Sequence, residues 1–466
     1  MDANATLSED LRVSRLPDIV HASVEERMAL GRLQRKTTPR SAHRGWEPPG
    51  GRDPLGLLAA SNQGRTPAFV PIRHGRMLAS PFAFYRGAPA VMAYDLAHTP
   101  SSGIAAQLCG DCHISNFGMF ASPERSLVFD LNDFDETLPG PFEWDVKRMA
   151  ASIAVVARSA EMSDERATAA AQTAVRFYRT KMLELAEASH LEVWYSHTTA
   201  DKLLQSVNRK ERKQAEGRLE RVQSKDRMRA FRKLTQVVDG ERRIVHDPPL
   251  LYRLGTEEAD VRDWLVELFT AYSESLEEGR RRLLSRYQLI DVAHKVVGVG
   301  SVGTRCFISY WQGKDDGDPL FLQIKQAGTS LLEPYLGRSQ HAQPGLRVVT
   351  GQKLMQATND IFLGYTRSQG DDYFVRQLHD MKGSADPAGF SSEQLAQYGA
   401  LCGTVLARAH ARSGDAAQIA GYLGKSTRFD AAVAEFARAY AAQNEADYHL
   451  FKEAVAEGHI EARMEE

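Results

Sequence analysis

The chain has 466 residues, of which 25% are charged, with a formal net charge of -2 and four cysteines. This length allows about two or three domains with a large core. The small net charge gives no overall field that would select a polyanionic partner, and four cysteines argue against a disulfide scaffold. The longest apolar stretch, near residues 150–157, is much shorter than the ~20 residues that span a bilayer, so we expect a cytoplasmic protein without a membrane span.

The first 75 residues are rich in Arg, Pro and Gly, and residues 47–54 form a cluster typical of a chain break. We expect a partly irregular N-terminal arm over residues 1–75. Arg73, Arg76 and Arg86 follow on the way to the next motif. They could bind phosphate or an acidic substrate, or form surface ion pairs.

Acidic and amide side chains gather around one short apolar run: Asp111, His113, Asn116, Asp130, Asp133 and Asp135. Mg²⁺ takes oxygen ligands and is usually held by one or two carboxylates plus substrate phosphates. Asn116 and Asp130 are therefore candidate metal ligands, and Asp133 and Asp135 are alternatives to Asp130. Asp111 is a candidate base that would orient or deprotonate an attacking hydroxyl. The plainer alternative is a polar turn between two strands.

Residues 110–116, Gly-Asp-Cys-His-Ile-Ser-Asn, resemble the Gly-Asp-x-His-x-x-Asn catalytic loop of aminoglycoside phosphotransferase-like and choline kinase-like enzymes, within the wider protein-kinase-like fold. The resemblance implies that Asp111 and His113 are catalytic-loop residues. It also implies that Asp130 is the metal-binding Asp at a strand end, and that Asp145 braces the loop from the next helix. Taken whole, the chain also resembles an uncharacterised bacterial family, DUF2252, in residues 80–87, in this loop and in residues 132–136. That second resemblance implies no established substrate.

The same loop contains a competing motif, because Cys109, Cys112 and His113 match the C-x-x-C-H pattern of covalent haem attachment. Such attachment needs an exported chain, and the N-terminus lacks the ordered parts of a signal peptide. A zinc site would need two further ligands, and Cys306 and Cys402 are isolated in sequence. Haem, zinc and a redox role for the cysteine pair therefore stay open as alternatives.

Helical periodicity predicts long helices over residues 146–188. Residues 209–233 carry eleven Lys or Arg against four acidic residues, interleaved with apolar positions. A basic amphipathic helix of this kind can bind nucleic acid, a membrane surface or an acidic partner. More often it is a solvated helix face.

Three glycines have the G-x-G-x-x-G spacing: Gly298, Gly300 and Gly303. A dinucleotide-binding fold would open a helix after the third glycine. Here residues 304–311 are rich in β-branched and aromatic residues, and a turn at 313–319 precedes a second apolar run that ends near Lys325, which predicts strand, turn and strand. We therefore favour a kinase-like glycine-rich loop with Lys325 on the nucleotide phosphates. A Rossmann fold and a glycine hairpin without a ligand are the alternatives.

A helix starting within residues 329–336 would carry Glu333, a candidate ion-pair partner for Lys325, with Gln352 and Asp360 as the next candidates. Beyond it the pattern predicts two strands, a hinge and a helix, at residues 361–365, 372–378, 379–384 and 392–410.

In the usual kinase-like order the nucleotide-binding half precedes the catalytic loop, whereas here it follows. We infer a circular permutation, which is tolerated where chain termini lie close together on the surface. A rival within the same hypothesis takes residues 410–415 as the catalytic loop and restores the usual order. It lacks a downstream Asn at the required spacing and a strand ending in Asp.

The sequence thus predicts an α+β, protein-kinase-like two-lobed fold, circularly permuted, with added helical segments. The expected parts are an arm, a catalytic-loop helical region with a basic insertion near 200–240, a β-rich nucleotide lobe and closing helices, at residues 1–75, 76–290, 291–385 and 386–466. We expect an ATP- and Mg²⁺-dependent phosphotransferase acting on a hydroxyl of an unknown small molecule or protein. The alternatives are a nucleotidyl (AMP) transferase on the same fold and a catalytically silent nucleotide- or partner-binding scaffold. Nucleic acid would bind only through the basic helix at 209–233.

Overall fold

The computed structural model describes residues 22–206, 212–223, 227–255, 258–296, 298–378 and 383–464. Within these ranges the α-helices are α1 Val24–Thr37, α2 Pro54–Ala60, α3 Val70–Met77, α4 Pro81–Gly87, α5 Pro89–Ala97, α6 Phe142–Ser159, α7 Asp164–Glu187, α8 His190–Tyr195, α9 Ala200–Ser206, α10 Arg212–Gln223, α11 Arg227–Leu234, α12 Ala259–Glu274, α13 Glu278–Leu284, α14 Glu333–Leu336, α15 Pro344–Met355, α16 Ser392–Ser413, α17 Ala416–Leu423 and α18 Arg428–Ala456.

Over the same ranges the strands are β1 Ala105–Leu108, β2 Phe117–Ala121, β3 Leu127–Leu131, β4 Leu138–Pro141, β5 Thr235–Val238, β6 Glu241–Ile244, β7 Leu251–Arg253, β8 Gln288–Lys295, β9 Cys306–Gln312, β10 Pro319–Gln326, β11 Gly364–Ser368, β12 Asp371–Gln377 and β13 Gly383–Ser384. The largest sheet that they form is antiparallel, with the order β11-β12-β10-β9-β8-β7. Three smaller sheets pair β1 with β4, β5 with β6, and β13 with β2 and β3.

The central strands of the large sheet are covered on both faces. Because successive side chains of a strand point to opposite faces, adjacent residues of β10 enter different cores. Leu322 packs with Leu268 of α12, whereas Phe321 packs with Phe231 of α11. The apolar side of α11, at the end of the basic segment, therefore covers the chain's own sheet, whereas Leu219 and Val222 of α10 pack against the helical core. Residues 207–211 and 224–226 of that segment lie outside the described residues.

The helical body is built around α6, which is buried along nearly its whole length. Its second half is almost entirely apolar, as expected of a buried helix, whereas its first half also buries Glu143, Asp145, Lys147 and Arg148. Helices α7, α16 and α18 pack with it. The Ala-rich α7 allows close approach of its neighbour, since Gly403 of α16 lies directly against the backbone of Ala174. The helices after residue 386 therefore pack on the helices that follow the loop at 110–116.

The N-terminal region contains several short helices. Its prolines begin helices rather than break the chain: Pro54 and Pro81 follow the N-cap residues Asp53 and Ser80, whose side chains accept backbone N–H groups. Helix α1 packs on α17 near the C-terminus. Residues 22–75 therefore combine short helices with irregular stretches such as residues 44–53, and the arm stays a prediction as a separate part of the chain.

The β-rich part also begins earlier than residue 291, because β7 and α12 belong to the large sheet and its core. The reason is that the short edge strand β7 has a weak pattern of its own and is fixed by pairing with β8. Residues 379–382 of the expected hinge lie outside the described residues. No helix in the described part of the chain combines the length and apolar character needed to cross a membrane.

Candidate functional site

A cavity of about 590 Å³ is lined by residues from both the helical body and the large sheet. Many of the predicted site residues line it: Asp111, His113, Asn116, Asp133, Asp135, Gly298, Gly300 and Lys325. The volume lies within the range of small-molecule and cofactor sites. The fold therefore brings the loop at 110–116 and the glycine-rich residues 298–303 to one place, although about 190 positions separate them in sequence.

The loop at 110–116 is held from beneath by the first turn of α6. The carboxylate of Asp145 accepts hydrogen bonds from the backbone N–H groups of Cys109, at 2.8 Å, and Gly110, at 3.2 Å. Gly110 has a φ of +86°, which a residue with a side chain rarely adopts. The predicted bracing contact from Asp145 to this loop is present.

The rival loop at residues 410–415 has a different environment. His410 is buried in α16, where its ring contacts Tyr178 and lies 3.3 Å from Asp145. Asp415 caps α17 by accepting two backbone N–H groups and forms an ion pair with Arg27. The residues of this segment therefore serve a helix interior and a helix cap.

Asp111 is fixed by a guanidinium from α6. Arg148 Nε donates a hydrogen bond to Asp111 Oδ1 at 2.6 Å, and the Arg148 guanidinium also stacks over the ring of Tyr85. The side chain of Asp111 keeps 21% exposure, so the carboxylate is oriented without being enclosed. Asn116 Nδ2 donates to the backbone carbonyls of Asp111 and Asp133, which ties this loop to the next one.

His113 lies beside Asp111, with its Nε2 at 3.7 Å from Asp111 Oδ2 and the ring edge against Phe82. Burial lowers the pKa of His113 to about 4, so the imidazole is neutral near pH 7. In the described part of the chain its buried Nδ1 has no hydrogen-bond partner. The catalytic role suggested for His113 stays a prediction, now with a neutral ring.

The position of Asp130 corrects one prediction. Its carboxylate is buried and accepts hydrogen bonds from Arg408, at 2.5 Å, and from the backbone N–H groups of Leu131 and Ala357. Asp130 is not among the residues that line the cavity. Its oxygens are thus used by a buried ion pair, which contradicts its assignment as a metal ligand.

Asp133 and Asp135, the two alternatives, do line the cavity, and they share a lysine. Lys325 Nζ donates to Asp135 Oδ2 at 2.5 Å and lies 3.6 Å from Asp133 Oδ1. Burial alone would lower the pKa of Lys325, but Asp133 and Asp135 outweigh it and raise the pKa. Burial and the neighbouring Asp133 carboxylate raise the pKa of Asp135, so this group favours an additional cation beside it. The backbone of this loop is held by Arg347 of α15, which donates to the carbonyl of Asp135.

The predicted ion-pair partners of Lys325 are elsewhere. Among the described residues its ion pairs are with Asp133 and Asp135, and Glu333 on α14 is not one of them. Gln352 donates to Gln356, and Asp360 accepts the backbone N–H groups of Phe362 and Gln377. The assignment of Glu333 as the ion-pair partner of Lys325 was wrong, because the amine of Lys325 binds the carboxylate of Asp135, 190 positions upstream.

The glycine-rich residues 298–303 join β8 to β9, and β9 turns directly into β10. This confirms the predicted strand, turn and strand and excludes the helix that a dinucleotide fingerprint needs. Gly298 and Gly303 have φ values of +68° and +90°. The loop is fastened to the N-terminal region, because Thr66 N–H donates to the carbonyl of Gly303 at 2.7 Å and Arg65 donates to that of Val302 at 2.6 Å.

Cys109 and Cys112 are buried free thiols. With the Asp145 carboxylate they form a group whose ligand atoms lie within 4.8 Å of one another. Both carboxylate oxygens already accept backbone N–H groups, and burial raises the pKa of Cys112 to about 11. Buried protonated thiols do not favour haem attachment, and nothing else about this cluster indicates a metal.

The model of DUF2252, described as an uncharacterized protein conserved in bacteria, matches residues 65–454. The chain belongs to this family. Searches of curated proteins and of solved structures found no match.

In this DUF2252 protein, each of the three segments that resemble the family contributes to the cavity. Residues 80–87 contribute Arg86, the loop at 110–116 contributes Asp111, and residues 132–136 contribute Asp133. Strand β3, which carries Asp130 and lies between the second and third of these segments, is buried instead.

Sequence reasoning missed several charged residues around the site: Arg65, Arg148, Lys295, Arg347, Arg376 and Arg408. A sequence signal could have indicated Arg376, because this charged residue stands within the apolar strand pattern of β12. Arg148 had a weaker one, since it follows Asp145 by three residues and so shares its helix face. Arg347 donates to the carbonyls of Thr137 and Asp135, and Arg408 pairs with Asp130; these partners are more than 200 positions away, and no local pattern indicates them.

Proposed function

We propose that this DUF2252 protein is an ATP- and Mg²⁺-dependent phosphotransferase with a circularly permuted, protein-kinase-like arrangement. The observation that carries the proposal is the ion pair between Lys325 and Asp135, in a cavity that Asp111 and residues 298–301 of the glycine-rich loop also line. The third glycine of the pattern, Gly303, is not among the lining residues. In kinase-like enzymes a lysine on the third strand grips the nucleotide phosphates, and a carboxylate holds the metal beside them. Lys325 and Asp135 are the same two residue types side by side, which supports a phosphotransferase function for this chain.

The order of the segments supports the permutation. The loop with Asp111 and its bracing Asp145 comes first, the antiparallel sheet with Lys325 follows, and α16 then returns to the loop through His410 and Asp145. The catalytic loop, its bracing Asp and the strand lysine of a two-lobed phosphotransferase thus have candidate counterparts, in a different order along the chain.

The donors beside Lys325 fit Mg²⁺. The buried Oδ1 of Asp135 has no hydrogen-bond partner among the described residues, while its Oδ2 is used by Lys325. Asn116 uses its Nδ2 for two hydrogen bonds, which leaves its side-chain oxygen as an acceptor. Asp133, Asp135 and Asn116 would hold the ion, because carboxylate and amide oxygens are the ligands that Mg²⁺ prefers. When bound, Mg²⁺ neutralises negative charge on the phosphates.

In the proposed reaction the acceptor hydroxyl oxygen forms a bond to the terminal phosphorus of ATP, the bond from that phosphorus to the bridging oxygen breaks, and ADP leaves. Asp111, oriented by Arg148, would accept the hydroxyl proton. Lys325 would bind the phosphates, and the glycines allow backbone N–H groups to approach them. Since positioning and electrostatic stabilisation supply most of this catalysis, removing Asp111 or Lys325 should cost several orders of magnitude in turnover.

Turnover of ATP labelled in the α- or γ-phosphate tests the proposal. The purified protein with Mg²⁺ should release ADP and transfer or hydrolyse the γ-phosphate, and Asp111→Asn should abolish this while still binding Mg·ATP. Transfer of the α-phosphate with release of pyrophosphate would instead indicate a nucleotidyl transferase. Binding of ATP without any turnover would indicate a silent scaffold, and absence of binding would contradict the proposal altogether.

A further inference from the structure

Arg86, on α4, is a cation of the cavity wall that has no hydrogen-bond or ion-pair partner among the described residues. Arg86 is one of the residues that line the cavity. Across the described ranges its side chain makes no hydrogen bond or ion pair, and its buried Nε is unsatisfied. Buried polar groups in folded proteins are nearly always hydrogen-bonded, so an unpaired guanidinium in a cavity needs an explanation.

Most other cations around the cavity have partners that Arg86 lacks. Lys295, which also lines the cavity, makes no side-chain hydrogen bond or ion pair among the described residues either, but the buried unsatisfied nitrogen is that of Arg86. Lys325 is paired with Asp135, Arg148 with Asp111, and Arg376 with the side chain of Gln323 and the carbonyl of Asn132. Arg65 donates to the backbone carbonyls of Ser61 and Val302.

The two arginines that precede Arg86 in the sequence have structural contacts. Arg73 is fully buried, where it donates to Ser61, Asn62 and the carbonyl of Gly87. Arg76 donates to the carbonyl of Gly298 and so fastens the glycine-rich residues. Of the three arginines that the sequence suggested for an anion, Arg86 therefore has the position and the unpaired guanidinium that an anion requires.

Arg86 stands where the glycine-rich residues and the loop at 110–116 approach each other. A Cβ placed on Gly300 would lie 3.3 Å from the Arg86 carbonyl, so the two backbones are adjacent. Burial lowers the pKa of Arg86, and Asp111 and Asp133 oppose this effect as its nearest charged groups. Both carboxylates are farther than ion-pair distance from its guanidinium, and both are engaged with other cations, Arg148 and Lys325.

We propose that Arg86 binds a phosphate-like oxyanion at this end of the cavity. The inference rests on the proposed function and deepens it, because this is the end where Asp111 would meet the transferred group. The planar guanidinium matches the oxygens of a phosphate with two parallel N–H donors, a geometry that lysine does not reproduce. The oxyanion has two sources, the terminal phosphate of the nucleotide or an anionic group of the acceptor.

Calorimetric titrations of wild type, Arg86→Gln and Arg86→Lys test the site and separate the sources. Each protein is titrated with inorganic phosphate alone, with Mg·ADP, with Mg·ATP, and with phosphate after saturation by a non-hydrolysable Mg·ATP analogue. Arg44→Gln is the matched control, because Arg44 forms an exposed ion pair with Glu435 and the substitution removes the same charge outside the cavity. Circular dichroism and melting temperature establish that each variant is folded.

If the terminal phosphate is the source, wild type binds Mg·ATP more tightly than Mg·ADP, and Arg86→Gln loses this preference. If the acceptor is the source, phosphate binds the analogue-saturated wild type and not the variant. In either case Arg86→Gln should weaken the affected step by roughly ten- to a hundredfold, the equivalent of a lost charge-assisted hydrogen bond, and Arg86→Lys should restore only part of it. Arg44→Gln should behave as wild type.

Wild-type affinities in Arg86→Gln for phosphate and for both nucleotides would overturn the inference, as would the absence of any phosphate or nucleotide binding to wild type. A wild type that binds phosphate through Arg86 but binds neither nucleotide would keep the oxyanion site and refute the proposed function. If Arg86→Gln fails to fold, Arg86→Lys decides, because it keeps the charge and removes only the fork geometry: wild-type binding in it overturns the inference.

Discussion

Replacing Asp130 by Asn separates a structural role for this residue from a role in metal binding. The Asp130 carboxylate is buried and accepts three hydrogen bonds, one of them from the guanidinium of Arg408. Asn keeps one acceptor oxygen but loses the charge, so a hydrogen bond to a charged group worth about 1.5–3 kcal/mol is lost. Arg408, whose Nη1 already has no partner among the described residues, would become an uncompensated buried charge. Together these effects should lower the free energy of unfolding by about 3–5 kcal/mol.

The assay is urea unfolding followed by circular dichroism, with Mg·ATP binding measured on the same preparations. A second variant that combines Asp130→Asn with Arg408→Met removes both charges, and it should recover much of the lost stability because no buried charge is left unpaired. Folded Asp130→Asn should still bind Mg·ATP. A variant with the wild-type unfolding midpoint that has lost metal-dependent binding would refute this reasoning and return Asp130 to the metal site.

Three further outcomes follow from the structure. Burial lowers the pKa of Lys147 from 10.5 to about 8, so between pH 8 and 10.5 the unfolded chain binds more protons than the folded protein. The free energy of unfolding of wild type, relative to that of Lys147→Met, should therefore rise with pH over this window, as measured by urea unfolding. Arg65→Ala removes the hydrogen bond to the carbonyl of Val302, so the described residues 298–303 should exchange their amide hydrogens faster than in wild type, and equal rates would contradict the fastening contact. Mg²⁺ alone should raise the melting temperature of wild type, and Asp135→Asn should abolish this increase by removing the unsatisfied carboxylate oxygen; an undiminished increase would mean that the ion binds elsewhere.

The sequence predicted the local parts of the candidate site well. The resemblance to the kinase-like catalytic loop implied the contact of Asp145 with the loop. Spacing and residue type located the glycine-rich turn between β8 and β9 and the strand that carries Lys325. These features are encoded within short segments, where turn residues and alternating patterns are reliable signals. That the segments meet in one cavity could be expected only through the resemblance to a two-lobed fold.

Long-range partners could not be read from the sequence. Three carboxylates follow one another within six residues, and nothing local indicates that Asp130 meets Arg408 while Asp135 meets Lys325. Helix α2 was missed for another reason, since Pro54 was counted in a cluster typical of a chain break when Asp53 before it indicates a helix start.

The central claim is that one Mg²⁺-nucleotide site joins the loop at 110–116 to the sheet that carries Lys325. The most direct test is the shift in melting temperature caused by ATP with and without Mg²⁺, in wild type, Lys325→Ala and Asp135→Asn. At ~100 times its dissociation constant a ligand stabilises the native state by about 2.7 kcal/mol, which such a scan resolves. We predict a Mg²⁺-dependent shift in wild type that both variants lose. No shift with ATP, or a shift that both variants keep, would contradict the account.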